Sequence, residues 1–197
     1  GGMKITNDIS KISKCNFVII TLGTSSRESD IENFNNLVRE VVTLSSDETM
    51  IILRSTLSAG TMENIVEEYT KNRNLNFIYA PERIAEGRAV QELKEIPQII
   101  GCQNDDDYLR VKKFFNSLGI DTLKMTFKEA EFLKLFLNTY RYLQFSTLNF
   151  FENIAYNNKM NFKDILDFAS IDYPRLNGVP DSGFVGGPCL IKDSQTF

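Results

Sequence analysis

The stretch with the clearest chemistry is Gly183-Phe184-Val185-Gly186-Gly187-Pro188-Cys189-Leu190-Ile191-Lys192-Asp193. Its glycines carry no Cβ, so the backbone can turn tightly and approach a ligand closely, and a thiol follows directly. Lys192 and Asp193 come three and four residues after Cys189. If a helix starts near the thiol, then thiol, ammonium and carboxylate share one helical face. A helix N-terminus and a nearby cation both lower a thiol's pKa and favour the nucleophilic thiolate. The pattern reads as a nucleophile beside an acid/base group. A small buried cysteine next to an ordinary helix-entry turn is the bland alternative; the glycine density and the Lys-Asp pair argue against it.

Composition narrows the chemistry further. The 197 residues include no histidine, which excludes His-based triads and His-metal sites and leaves acid/base work to Asp, Glu, Lys, Cys, Tyr or water. The three cysteines, Cys15, Cys102 and Cys189, form no CxxC pair. No metal is therefore expected, and a reducing cytoplasmic setting fits better than a disulfide framework. A net charge of -4 with no basic cluster argues against nucleic acid or an anionic membrane surface as partner. No stretch is apolar and long enough to span a bilayer. Gly1-Gly2-Met3 resembles a cleavage scar ahead of an initiator-like methionine, not a signal peptide. With 42% hydrophobic residues, a real core is expected.

The elements that must position these groups alternate strand and helix. Residues 16–22 form a nearly continuous apolar run, the pattern of a strand buried on both faces. It ends at Gly23-Thr24. A helical spacing over 30–44 and a second buried strand over 49–53, ending at Arg54-Ser55-Thr56, complete a βαβ unit. Gly60-Thr61 opens a helix to about Thr70, and 76–79 is a short strand ending in Ala80-Pro81-Glu82-Arg83. Strands over 97–101 and 122–126 flank a helix over 111–118. Small and polar residues cluster just after the strands, which in an open parallel sheet is the ligand-binding edge. A GxGxxG turn is missing from the sequence, as though the first βαβ unit had been removed.

From Lys128 to Asn157 there is neither Pro nor Gly, so a helix of about 45 Å is expected at 1.5 Å per residue. Its apolar residues occupy more than one stripe, and a partner surface is the simplest account. Glu131, Lys134, Asn138 and Arg141 form a polar strip along it at spacings of three and four. A solvated face with a Glu-Lys pair is the bland reading of that strip. A second helix follows over 161–170, and Asp172-Tyr173-Pro174-Arg175 leads back towards the glycines.

Five segments, taken in order, resemble the UDP-glucose/GDP-mannose dehydrogenases, NAD-dependent enzymes that oxidise a nucleotide sugar's C6 alcohol to a carboxylate. They are Val18 to Thr24, Arg54-Ser55-Thr56 with Gly60-Thr61, Ala80 to Gly87, Ala130-Glu131 through Lys134 to Asn138, and Gly183 to Asp193. The run Asn138 to Phe145 and the Pro-Cys after the glycines look nearer the UDP-N-acetylmannosamine dehydrogenase-like branch than the UDP-glucose dehydrogenase branch. The resemblance implies an α/β fold with a partial Rossmann-like parallel sheet, its first βαβ unit missing, followed by a long central dimerisation helix and a small helical domain. The expected boundaries are 1–127 for a truncated NAD-binding domain and 128–197 for the central helical domain with the Cys loop.

The resemblance also implies a mechanism. The alcohol becomes an aldehyde, Cys189 adds to it as a thiohemiacetal, and a second oxidation leaves a thioester that water hydrolyses. Lys134 and Asn138 would stabilise the oxyanion; Asp193, with Thr56 and a water, would move the alcohol proton; Glu82 would assist hydrolysis as base or water-holder. Thr24, Ser55 and Glu86 resemble NAD contacts. Arg175 resembles the arginine that reaches the UDP-sugar substrate, and Phe184, Val185, Gly186 and Gly187 the loop beside the sugar. Members run to about twice this length, so the chain looks like the middle of such an enzyme, and little turnover is expected from it alone. Three other readings remain open. They are a non-catalytic dimerisation fragment, a β-hydroxyacid or 6-phosphogluconate dehydrogenase-like enzyme making one hydride transfer, and, least favoured without a histidine, a cysteine hydrolase.

Overall fold

The computed structural model describes residues 2–24, 27–71, 73–84, 87–183 and 188–196, the side chains of Val90, Pro188, Cys189 and Thr196 excepted. By backbone contacts the chain divides into two compact units, Gly1–Lys134 and Leu135–Phe197.

The first unit is built on a five-stranded sheet whose spatial order follows the chain: β1 (Phe17–Ile20), β2 (Met50–Leu53), β3 (Asn76–Tyr79), β4 (Gln98–Gly101) and β5 (Thr122–Met125). The apolar runs of β2 and β4 are buried along their whole length, as strands covered on both faces require. One face packs Ile51, Leu53, Phe77, Tyr79 and Ile99 against helices α1 (Glu28–Leu44) and α2 (Thr61–Thr70) and the start of α5 (Phe127–Asn157). The other packs Met50, Ile52, Ile78 and Ile100 against α4 (Asp105–Ser117) through Val111 and Phe115.

Three sequence expectations need correction. β1 is not buried on both faces: Ile19 is 41% exposed, because β1 lies at the edge of the sheet and one of its faces is only partly covered. The sheet is not wholly parallel either. β1, β2 and β3 run parallel, but β3 meets β4 antiparallel at Tyr79↔Gly101, and β5 then runs parallel to β4. A short helix, α3 (Ala89–Glu95), which the sequence pattern missed, lies in the connection where direction reverses. Finally, α4 begins six residues before the expected 111, at Asp105. Asn104 caps it by accepting from the Asp107 amide at 2.8 Å, and Asp105, Asp106 and Asp107 favour the positive end of the helix dipole.

Two glycines are dictated by geometry. Gly60 ends the β2-α2 loop at φ 90, a left-handed conformation that side chains disfavour. A Cβ on Gly101 would lie 3.1 Å from Ala130 Cβ and 3.3 Å from Phe127 Cα, so β4 and the first turn of α5 touch backbone to backbone.

The second unit is helical. It comprises α5 from Leu135 onward, α6 (Phe162–Ala169) capped by Asn161, a 3-10 turn at Pro174–Leu176, and α7 (Pro188–Thr196). The predicted helix from 128 to 157 is thus present as 31 residues. Among the described residues no helix is long and apolar enough to cross a membrane.

Candidate active site

In the first unit, the predicted residues gather where β1, β2 and β3 end. Thr24 Oγ1 donates to the Thr56 carbonyl at 2.7 Å, and Ser55 Oγ donates to the Leu22 carbonyl at 2.5 Å. These reciprocal bonds sew the loop after β1 to the loop after β2. Each hydroxyl's proton is committed to that link, which leaves its lone pairs as what the group can offer a ligand.

Glu82 reaches the same edge from the loop after β3, and its surroundings were not legible beforehand. The Arg54 guanidinium donates to Glu82 Oε2 and, through its other terminal nitrogen, to Gln98 Oε1 at 2.9 Å. Glu82 Oε1 accepts from the amides of Arg83 at 2.8 Å and Ile84 at 2.9 Å. Burial pulls the Glu82 pKa upward, but the Arg54 charge and the hydrogen bonds outweigh it and hold the carboxyl below its usual value. Glu82 is therefore a fixed, ionised acceptor at neutral pH.

The reversal of β4 supplies Gln98. Extending the antiparallel pairing from Tyr79↔Gly101 sets Glu82 opposite Gln98, and the buried Gln98 amide donates at 3.0 Å to the Pro81 carbonyl. Arg54 and Gln98 thus belong to the hydrogen-bonded cluster around Glu82, and sequence reasoning did not name them as site residues. The available signals were a cation directly before Ser55-Thr56 in an acidic chain, and an amide side chain opening an apolar strand.

Lys134 is half-buried on α5, and the polar strip that it was placed in does not behave as a solvated face. Glu131 is 0% exposed. Its carboxylate accepts from the amides of Gly60 at 2.6 Å and Met62 at 2.7 Å, capping α2 from another helix. Burial pushes its pKa up, partly offset by those two amides.

In the second unit, Asn138 on α5 and Asp193 on α7 meet directly: Asn138 Nδ2 donates to Asp193 Oδ2 at 2.5 Å. Asp193 is 1% exposed, and Lys192 Nζ lies 3.5 Å from its Oδ1. Cys189 is the second residue of α7, which places its backbone in the N-terminal turn. Arg175, in the 3-10 turn, sits with its guanidinium carbon 5.3 Å from the Tyr173 ring centroid, a cation–π contact. Glu86, Phe184, Val185, Gly186 and Gly187 lie outside the described residues.

A dinucleotide needs a helix N-terminus for its pyrophosphate. The helices after β1, β2 and β4 do not offer one: Glu28 and Asp30 occupy the first turn of α1, Glu131 already takes the α2 amides, and Asp105, Asp106 and Asp107 open α4. The strand ends therefore fit the edge of a dinucleotide site, with hydroxyl and carbonyl groups, while α1, α2 and α4 do not supply its phosphate cradle.

A mostly parallel α/β sheet with polar strand ends, followed by a long helix and a helical unit, is the frame of a dinucleotide-dependent dehydrogenase. Within that class, the chain belongs to the UDP-glucose/GDP-mannose dehydrogenase family: residues 1–119 match its NAD binding domain and residues 128–197 its central domain. The UDP-N-acetyl-D-mannosamine dehydrogenase of Methanocaldococcus jannaschii is 26% identical over 200 residues, 98% of this chain and 46% of that protein. The UDP-glucose 6-dehydrogenase of Campylobacter jejuni is 26% identical over 91% of this chain and 47% of its own length. Among solved structures, the UDP-D-ManNAc dehydrogenase from Pyrococcus horikoshii superposes with a TM-score of 0.86 at 25% identity, over 96% of this chain and 47% of that one. The chain thus spans about half the length of the relatives that it matches.

Proposed function

We propose that this chain is the central part of an NAD-dependent nucleotide-sugar 6-dehydrogenase acting on a UDP-sugar of the N-acetylmannosamine type. The observation that carries the reading is the Asn138–Asp193 contact. It sets an amide donor of α5 against a buried carboxylate of α7, the short helix that bears Cys189 near its start.

The residues divide the work by chemistry. Asp193 takes the proton of the C6 alcohol, with Thr56 and a water completing the relay. Cys189 adds to the resulting aldehyde carbon, and Lys134 and Asn138 hold the oxyanion of the thiohemiacetal. Loss of a second hydride leaves a thioester. Water, held by the ionised Glu82, attacks its carbonyl, and Cys189 departs with the proton restored to sulfur. NAD, when bound, accepts one hydride in each oxidation; Thr24, Ser55 and Glu86 are proposed to face it, with the phosphate cradle coming from outside these residues. Arg175 and residues 184–187 are assigned to the sugar nucleotide. The three unpaired-spacing cysteines favour a cytoplasmic setting.

We also infer a homodimer through α5, supported by the exposure of Phe136, Tyr140, Leu143, Phe150, Phe151 and Ile154 along it.

The test is to join the chain to the flanking segments of the M. jannaschii relative and supply NAD and UDP-N-acetylmannosamine. The expected result is two NADH per sugar and a uronic acid from the completed enzyme, with little turnover from the chain alone. One NADH per sugar with an alcohol-derived aldehyde as final product would exclude the four-electron reading.

A further inference from the structure

Asn149 lies on α5, fifteen residues beyond Lys134, and belongs to none of the predicted site groups. Its side chain makes a two-point contact with the backbone of one residue, Gly183. Nδ2 donates to the Gly183 carbonyl at 2.8 Å, and the Gly183 amide donates back to Oδ1 at 2.8 Å. An amide side chain used in this way reproduces the paired donor and acceptor of a β-ladder, and it satisfies both polar groups of a residue outside any regular element. Gly183 opens the glycine stretch, and Cys189 stands six residues later at the second position of α7. Just upstream, Lys163 on α6 approaches Asp181 at 3.8 Å, a weaker and exposed tie on the same segment.

We propose that Asn149 is a positioning residue for the reaction: it fixes the entry of the glycine stretch to the long helix and thereby sets the register of the segment that delivers Cys189. Asn138, on the same helix, holds Asp193 on the other side of the thiol in sequence. α5 thus grips the Cys189-bearing segment at two places, before and after the thiol, with amide side chains eleven residues apart. Two anchors along one rigid helix constrain the thiol's position more tightly than either does alone. The role rests on the proposed reading of Cys189 as the nucleophile.

The experiment uses the chain itself. Hydrogen exchange of the Gly183 amide and the pH profile of Cys189 alkylation by iodoacetamide are compared in wild type, Asn149→Ala and Asn149→Asp. Alkylation of Cys15, which is exposed, serves as internal reference. Asn149→Ala is expected to speed Gly183 exchange about tenfold, the factor that an ordinary hydrogen bond implies, and to change the rate and pH midpoint of Cys189 alkylation while leaving Cys15 unchanged. Asn149→Asp keeps the acceptor for the Gly183 amide and loses the donor, so it should fall between the two. It also serves as the readout if the alanine variant does not fold. Unchanged Gly183 exchange in both variants overturns the proposal. So does faster exchange with an unaltered Cys189 profile, which overturns the positioning role alone. A wild-type Cys189 that reacts no faster than Cys15 at any pH removes the nucleophile reading and, with it, the role of Asn149.

Discussion

Arg54 and Glu82 are joined across the ends of β2 and β3 by a guanidinium–carboxylate bond, the Arg54 side chain being only 12% exposed and that of Glu82 45%. Glu82 has its folded pKa depressed. The sign follows: such a carboxylate contributes stability that is present above its unfolded pKa, about 4.3, and is lost as pH falls through the lower folded value. Glu82→Gln should therefore flatten the acid limb of the stability profile below pH 4–5 by about one carboxylate's share. In a double-mutant cycle with Arg54→Met, read by urea unfolding at pH 7, the two residues should couple by about 0.5–3 kcal/mol. A coupling indistinguishable from zero would reduce the pair to a surface contact.

Glu131 has the opposite sign. Its folded pKa is raised by burial, so its contribution is fully present below the unfolded pKa and declines as pH rises through the folded one. Glu131→Gln retains one acceptor and turns an amide donor towards a backbone N–H, leaving one buried donor unsatisfied. The expected cost is about 1–3 kcal/mol. Urea midpoints from pH 4 to pH 8 should show the gap between wild type and variant narrowing as pH rises. A gap that widens would mean that the Gly60 and Met62 amides outweigh burial and depress the pKa.

How much of this could be read beforehand depends on whether the signal was local. The strands at 76–79 and 98–101 and the helix to Asn157 are marked by their own residues: continuous apolar runs, or thirty positions without Gly or Pro. Strand direction is not written that way, since Gln98–Gly101 reads the same whether it joins β3 parallel or antiparallel. Missing the reversal meant missing Gln98 as a neighbour of Glu82. The same limit applies to Glu131, whose spacing matched a solvated strip although its partners are amides some seventy residues earlier. Asn138 and Asp193 were both named from motif position, yet their contact spans 55 residues, and only the fold shows it.

Exposed apolar side chains on α5, with Phe150 at 62% among them, predict association of two copies through this helix. Light scattering over a concentration series should give a dimer at micromolar protein. Phe150→Asp buries a charge if that face is the interface, so dissociation should strengthen by at least about 2 kcal/mol, roughly thirtyfold in Kd. A compact monomer at all concentrations, or a dimer indifferent to the aspartate, would place the contact elsewhere or remove it.

Substitution at Cys189 and Lys134 separates the two oxidations in the completed enzyme. If Cys189 carries only the second, Cys189→Ser still permits alcohol-to-aldehyde hydride transfer but cannot form the thioester, because a serine hydroxyl, almost wholly un-ionised at neutral pH, is a far poorer nucleophile than a thiolate, and an alkoxide a far poorer leaving group. In the proposed mechanism Lys134 faces oxygen charge in more than one step, so Lys134→Ala should slow both, by about 10²–10³ in kcat, the usual effect of removing one oxyanion donor. The readout is NADH per sugar by absorbance, with mass analysis of the sugar product. For Cys189→Ser the expected product is trapped or released aldehyde with at most one NADH per sugar; for Lys134→Ala it is the uronic acid, formed slowly with two. Two NADH and a normal uronic acid from Cys189→Ser would refute the thioester route and move the hydrolytic step to a hydrated aldehyde.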